Sequence, residues 1–230
     1  MDSLRISEIF VSIQGEGLLT GTPSVFVRTS GCNLRCRWCD TPETSWSPEG
    51  EHRSLSDIVR EVRATGVKHA VLTGGEPLLD GAMLPLARAL RTQGLHLTVE
   101  TAATYLPKAF EDGLFDLASI SPKLAGSTPV GTRFATVHDA RRHRPDVIRR
   151  LMKGDYQLKF VPSTPDDLDE IDAIVNEVGA ARERVLLMPE GVDVPALDRA
   201  AEWLVDACVA RGYRFCDRLH IRLFGHTRST

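Results

Sequence analysis

"SVFVRTSGCNLRCRWCDT", residues 24–41, joins two kinds of sequence in one stretch. Its opening is β-branched and aromatic, the composition of a strand. Its second half carries Cys32, Cys36 and Cys39 behind Gly31, with no apolar period, and reads as a loop. A strand that delivers reactive side chains to the loop at its carboxyl end is how parallel α/β sheets and barrels build their ligand sites.

Working outward, the same pattern recurs. Strands are expected at 69–75, 96–101, 115–123, 155–162, 184–191 and 213–217. Between them lie helical periods at 54–66, 81–94, 106–111, 164–179 and 194–212. The first shows the logic: Ser54 stands at the cap, Leu55, Ile58, Val59 and Val62 share one face, and Gly66 stops the helix. A last extended segment is expected at 219–225. Alternation of this kind argues for a parallel sheet with helices outside and right-handed crossovers. Six units fall short of a closed eightfold barrel. The expected fold is therefore α/β, a partial, open (βα)6 TIM-like barrel with a mostly parallel sheet. It occupies residues 1–230 as a single domain. Residues 124–150 break the rhythm and read as an insertion of loop plus short helix, their arginines a solvated face.

Composition narrows the function. Hydrophobic residues make up 42% of the 230, enough to bury a core, and no apolar run is long enough to span a bilayer. The start, "MDSLRISEIF", lacks the order of a signal peptide, so a cytoplasmic protein is expected. A net charge of −3 gives no field to draw the whole chain onto nucleic acid or membrane. Five cysteines are an odd number for a disulfide framework, and three are clustered, which points to metal or redox chemistry.

The spacing C-x3-C-x2-C suits an iron–sulfur cluster, because three thiolates leave one iron of a cubane without a protein ligand. Structural zinc is the competing reading. It requires a fourth ligand such as His52, Cys208 or Cys216. Cys208, in an apolar helix face, and Cys216, in a short strand, read more simply as buried small hydrophobes.

The motif C-x3-C-x-W-C, with Trp38 in its aromatic position, resembles the signature of the radical S-adenosylmethionine (radical SAM) superfamily. "TGGEP" (73–77) resembles that superfamily's second motif. "EIFVSIQGEG" (8–17), "FVRTSGCN" (26–33), "CDT" (39–41), "SPK" (121–123) and "LHIRLFG" (219–225) narrow the resemblance to the 7-carboxy-7-deazaguanine synthase family, from about residue 6 to the end. The resemblance implies a carbon–nitrogen lyase that converts 6-carboxy-5,6,7,8-tetrahydropterin to 7-carboxy-7-deazaguanine with loss of ammonia. The step is a radical ring contraction begun by a 5′-deoxyadenosyl radical, in 7-deazapurine (queuosine) biosynthesis.

Residue by residue, the resemblance implies a 4Fe-4S cluster on Cys32, Cys36 and Cys39, and magnesium on Thr41. S-adenosylmethionine falls to Trp38, Cys39, Asp40, Gly75, Glu76, Ser121, Pro122 and Lys123, with Met188, Pro189, Glu190 and Gly191 near its adenine. Glu76 would offer its carboxylate to the methionine ammonium. The pterin falls to Ile13, Gln14, Gly15, Glu16, Arg28 and Thr73; in the tail, read from its own chemistry, His226 is expected to donate to the substrate, with Arg228 or the terminal carboxylate of Thr230 closing the pocket. An electron donor such as flavodoxin and a homodimer are also implied. The chain departs from the family at "ETAA" (100–103) where E-T-N-G is familiar, at Met188 where a glutamine is familiar, and in the tail "GHTRST" (225–230). Two rivals remain at this point: a radical activase acting on a partner protein, which lacks Q-G-E-G before the cysteines, and a zinc-stabilised binding module.

Overall fold

The computed structural model describes residues 3–230. Nine strands form one sheet: β1 (Ser3–Ile13), β2 (Pro23–Thr29), β3 (Glu51–Ser54), β4 (His69–Gly74), β5 (His96–Thr101), β6 (Leu117–Ile120), β7 (Tyr156–Phe160), β8 (Val185–Leu187) and β9 (Arg214–Phe215). Their order is β3-β1-β2-β4-β5-β6-β7-β8-β9. From β2 to β9 all neighbours are parallel, while β1 pairs antiparallel with both β2 and β3. The sheet does not close, so the open, partial barrel expected from the alternation is what forms. The two antiparallel strands at the β2 edge were not foreseen.

Helices α1 (Pro42–Ser45), α2 (Leu55–Ala64), α3 (Met83–Arg91), α4 (Ala135–Arg142), α5 (Pro145–Leu151), α6 (Asp167–Val178), α7 (Val194–Arg211) and α8 (Leu219–Phe224) complete the chain. Ser54 caps α2 as expected, its hydroxyl accepting from the Asp57 amide at 3.1 Å. Two expectations are corrected. No helix forms near Leu106–Glu111, only isolated turns such as Phe110 N–H to Pro107 O at 3.0 Å. Pro107 disfavours helical backbone at Leu106, and Gly113 follows too soon for a second turn. The 219–225 segment is helical rather than extended. Its apolar residues at 219, 221, 223 and 224 fit either period. The Leu219 amide is taken by the Gly15 carbonyl at 2.9 Å, which starts the segment as a helix away from β9. Among the described residues no helix is long and apolar enough to cross a membrane.

Strand alternation divides the sheet into two faces of opposite character. Val25, Val27, Leu72, Leu97, Val99, Ala118, Ile120, Leu158, Phe160, Val185 and Leu187 belong to one buried cluster with Ile58 and Val62 of α2, Leu86 and Leu90 of α3, Ile171 of α6 and Leu204 of α7. Burying each such large side chain contributes about 1.5–3 kcal/mol. The intervening residues point to the other face. They include Arg28, Thr73, Glu100, Ser119 and Lys159, which line a cavity.

Candidate active site

The cavity holds about 550 Å³ at the carboxyl ends of the parallel strands. Strand register builds its wall. Glu8 pairs with Arg28, Arg28 with Thr73, and Glu100 with Ser119. Leu72 opposite Val99 brings Thr73 next to Glu100, whose Oε2 accepts from Thr73 Oγ1 at 3.0 Å. Glu100 Oε1 accepts from Gln14 Nε2 at 3.1 Å, and Gln14 Oε1 accepts from the Glu16 amide at 3.0 Å. One polar row therefore crosses the inner face from β1 to β6.

The cysteine loop between β2 and α1 forms another wall. Cys32, Cys36 and Cys39 all line the cavity, and none is in a disulfide. Cys39 Sγ lies 3.2 Å from Ser45 Oγ, and Cys32 Sγ accepts from the Leu34 amide at 3.4 Å. Burial pushes the Cys32 thiol up to about 12 and the Cys36 thiol up to about 11. Both would be protonated as bare thiols, so a bound metal would displace protons there. Three thiols on one loop, none in a disulfide, match the donor set that a 4Fe-4S cluster with one iron open would use. Cys208 and Cys216 are buried elsewhere. Cys216 Sγ accepts from the Gly17 amide at 3.0 Å and takes no part in the loop.

The second motif locks against the first through backbone. The Glu76 amide donates to Gly31 O at 2.9 Å, and the Gly75 amide to Thr29 O at 3.3 Å. A Cβ on Gly75 would collide with the carbonyl oxygens of Gly31 and Thr44, so only glycine allows this approach. The Glu76 carboxylate does not line the cavity. It is 2% exposed and accepts from Thr101 Oγ1 at 2.7 Å, the Ala102 amide at 2.9 Å and the Leu78 amide at 3.3 Å. Burial raises its pKa above the usual range despite these donors. Pro122 and Pro189 are likewise buried behind the wall. Every other site residue expected from the sequence lines the one cavity.

A buried charge network sits beside the cysteine loop. Glu16 pairs with Lys159 and with Arg218, the latter at 3.2 Å. Arg218 also reaches Asp40. Burial opposes the Glu16 charge, but Lys159, Arg218 and His220 outweigh it and hold its carboxyl well below the usual range. Burial likewise works against the Lys159 charge, and Glu16 and Glu100 overcome it. Arg28 donates its Nε to Glu8 Oε1 at 2.7 Å and lies over the Phe10 ring. Trp38 packs with Met188, Val161, Leu186 and Cys216, carries the Lys123 ammonium 5.7 Å above its ring, and has a buried Nε1 with no partner among the described residues. Thr41 Oγ1 accepts from Thr44 Oγ1 at 3.3 Å on the same wall.

The tail folds across this space. His226 Nε2 lies 3.1 Å from Asp40 O, Ser229 Oγ donates to Glu8 Oε2 at 2.7 Å, and Arg228 lies 3.5 Å from the same oxygen. Lys159, Arg218, His220 and Glu8 were missed as site residues. Lys159 sits in the inner-face alternation of "YQLKF", which was a usable signal. Arg218 reaches Glu16 across 202 positions of sequence, which no local pattern reveals. At the departure "ETAA", Ala103 adopts φ +55°, the left-handed backbone that the familiar glycine takes freely.

The model of the radical SAM superfamily matches residues 26–153. A relative from Rhodopirellula baltica, named 7-carboxy-7-deazaguanine synthase, is 48% identical over 99% of this chain and 89% of its own length. One of the same name from Halobacterium salinarum is 43% identical over 99% of this chain and 93% of its own. Among solved structures, QueE from Escherichia coli superposes with a TM-score of 0.71 at 24% identity, covering 95% of each chain, a likeness of fold.

Proposed function

This chain belongs to the radical SAM superfamily and, within it, to the 7-carboxy-7-deazaguanine synthase family, and on that premise we propose that it converts 6-carboxy-5,6,7,8-tetrahydropterin to 7-carboxy-7-deazaguanine with loss of ammonia. One observation carries the proposal. A single cavity is lined both by three thiols on one loop and by the Glu16 carboxylate on the turn after β1, with a guanidinium and a threonine, Arg28 and Thr73, on the facing strands.

Cys32, Cys36 and Cys39 hold the 4Fe-4S cluster in this reading. With S-adenosylmethionine bound, the cluster would supply the one-electron chemistry that yields a 5′-deoxyadenosyl radical to begin the ring contraction. Trp38, Lys123 and Met188 offer S-adenosylmethionine an apolar and cationic wall, joined by Asp40, Gly75, Ser121, Glu190 and Gly191. Glu76, Pro122 and Pro189 support that wall from behind.

On the substrate side, Glu16 is kept ionised by Lys159 and Arg218. It is therefore an acceptor for the N–H edge of a pterin. Gln14 already gives one N–H to Glu100, and its remaining N–H and lone pair, with the backbone of Ile13 and Gly15, complete that edge. Arg28 commits only its Nε to Glu8 among the described residues, leaving its fork to grip the substrate carboxylate. Thr73 bridges substrate and Glu100. The tail, through His226, Arg228 and Thr230, excludes water. Thr41 supplies one hard oxygen to magnesium, whose other ligands are waters and substrate. A one-electron donor such as flavodoxin and a homodimeric state belong to the same reading.

The test is direct. Reconstituted and reduced under anaerobic conditions, the protein should turn over 6-carboxytetrahydropterin with S-adenosylmethionine and magnesium, releasing ammonia. Absence of product from a protein that cleaves S-adenosylmethionine refutes the substrate assignment.

A further inference from the structure

The segment 124–150 reads in the sequence as an insertion of loop plus short helix whose arginines form a solvated face. In the structure its first half is fastened to the cysteine loop. Arg37 N–H donates to Ser127 O at 2.9 Å, and Arg37 Nε donates to Gly126 O at 2.9 Å. Phe134, just ahead of α4, meets Trp46 edge-on at 5.7 Å, and Trp46 Nε1 donates to Cys36 O at 3.0 Å. The Arg35 guanidinium lies 5.4 Å from the Phe134 ring and donates to Cys32 O and Leu34 O, both at 2.7 Å.

At the centre of this contact is His138 of α4, 1% exposed. Its Nδ1 accepts from the Arg35 amide at 3.0 Å. Its Nε2 lies 2.9 Å from Ser127 Oγ, and that hydroxyl donates onward to Leu124 O at 2.7 Å. The chain of donors leaves one assignment. Ser127 has given its proton to Leu124 O, so it must accept from His138 Nε2–H. His138 Nδ1 is then bare, which is what the Arg35 N–H requires. Every proton in the chain has one place, and its two side chains, His138 and Ser127, are buried.

We propose that His138, held in its Nε2–H tautomer by Ser127, is a positioning residue for the iron–sulfur loop. It fixes the backbone at Arg35 and so sets the separation of the Cys32 and Cys36 thiolates. The proposal rests on the cluster assigned to those cysteines above. The Arg35 amide has no other acceptor in the structure's described contacts, so without His138 it becomes a part-buried donor without a protein partner. The loop would then open more often, and cluster iron would be lost through those openings.

The experiment compares His138→Leu, His138→Asn and Ser127→Ala with the parent. A control, His69→Leu, removes another buried histidine held between two hydroxyls, Ser24 Oγ at 2.7 Å and Thr98 Oγ1 at 2.8 Å, with no contact to the cysteine loop. Two quantities are measured on the full chain: amide exchange at Arg35 before iron is added, and the rate of iron release to a chelator from the reconstituted protein. His138→Leu should speed both about tenfold or more. His138→Asn, whose Oδ1 can stand where Nδ1 stood, should return both to within about threefold of the parent. Ser127→Ala should move both in the same direction by less, and it serves if His138→Leu does not fold. His69→Leu should move neither. The proposal is overturned if Arg35 exchange is unchanged in His138→Leu and Ser127→Ala, or if iron release fails to follow it. It is equally overturned if the asparagine is as fast as the leucine, or if His69→Leu matches His138→Leu. A parent protein that takes up no iron refutes the cluster assignment and, with it, this role for His138, while Arg35 exchange still reports separately on the clamp.

Discussion

Replacing Glu16 with glutamine removes the one anion that faces two buried cations. Lys159 and Arg218 have side chains only 6% and 7% exposed, and Glu16 itself 14%. Glutamine keeps the volume and can still accept one hydrogen bond, so the change is almost purely of charge. Breaking a buried pair by removing one partner costs about 3–5 kcal/mol, because the other charge stays in a medium that solvates it poorly. Asp40 remains beside Arg218 and compensates that cation in part, whereas Lys159 keeps only Glu100 nearby. The loss should therefore fall near the lower end, about 3 kcal/mol. For a chain of this size each kcal/mol moves Tm by about 2–4 °C, so Glu16→Gln should melt roughly 6–12 °C below the parent at pH 7.

The pH dependence follows from the sign of the shift. The folded carboxyl titrates below its ordinary value, so its contribution is complete above the unfolded pKa of about 4.3 and fades as pH falls through the folded value. The Tm difference between parent and Glu16→Gln should be constant from about pH 7 to 5 and shrink below about 4.3. Calorimetry on the iron-free chain reads this without any assumption about the reaction. Adding Lys159→Met to Glu16→Gln should recover more than half of the loss, since the stranded cation is then gone. A loss under about 1 kcal/mol, or a double variant no more stable than the single, refutes the account of Glu16 as the counter-ion of a buried network.

Three further outcomes are expected. Arg28→Lys keeps a charge but not the fork, and should raise KM for the carboxylated substrate about tenfold or more with kcat less affected; an unchanged KM in steady-state assays removes Arg28 from the substrate contacts. Thr41→Ala should weaken stimulation by magnesium while iron content is unchanged, measured by titrating magnesium into the reconstituted enzyme. His69 is driven down to about 4 by burial and by His96, so it is neutral in the folded state where the unfolded chain takes up a proton. Stability should fall as pH drops from about 6.5 towards 4, and His69→Leu should flatten the Tm profile over that window; an unaltered slope refutes the assignment.

The fold was legible where side-chain period was unambiguous. Strands such as "HAVLTGG" lie mid-sheet and are buried on both sides along nearly their whole length, so their centre reads as a short continuous apolar run. The misreadings came where two periods coexist or where partners are distant. "LHIRLF" satisfies a period of two and a helical face equally, and a hydrogen bond from the Leu219 amide to the Gly15 carbonyl, far away in sequence, decides between them. β1 is half-exposed along most of its length and carries no clear alternation, so its pairing with β2 was invisible until the partner was in place.

The site divides along the same line. The cysteines and the glycine turn were legible because each is a local device: three thiolates on one loop, and a backbone approach that tolerates no Cβ. The charge network was not, because a buried ion pair exists only between residues that folding brings together. Glu16 by itself is a glutamate beside glycines, and a solvated turn is its natural reading. Lys159 by itself is one of two polar residues that alternate with apolar ones in "YQLKF", a pattern that gives its face but not its partner. Each becomes a statement about function only when strand alternation turns Lys159 inward and the start of α8 sets Arg218 against the loop that carries Glu16. A charged residue at an inward position of a central parallel strand is thus a sequence signal that calls for a partner. The sheet's outer face already supplies the apolar core, so a charge placed on the inner face costs stability unless a counter-ion meets it there. In this chain Glu16 is that counter-ion, and it stands at the wall of the cavity where a substrate's N–H groups would need an acceptor.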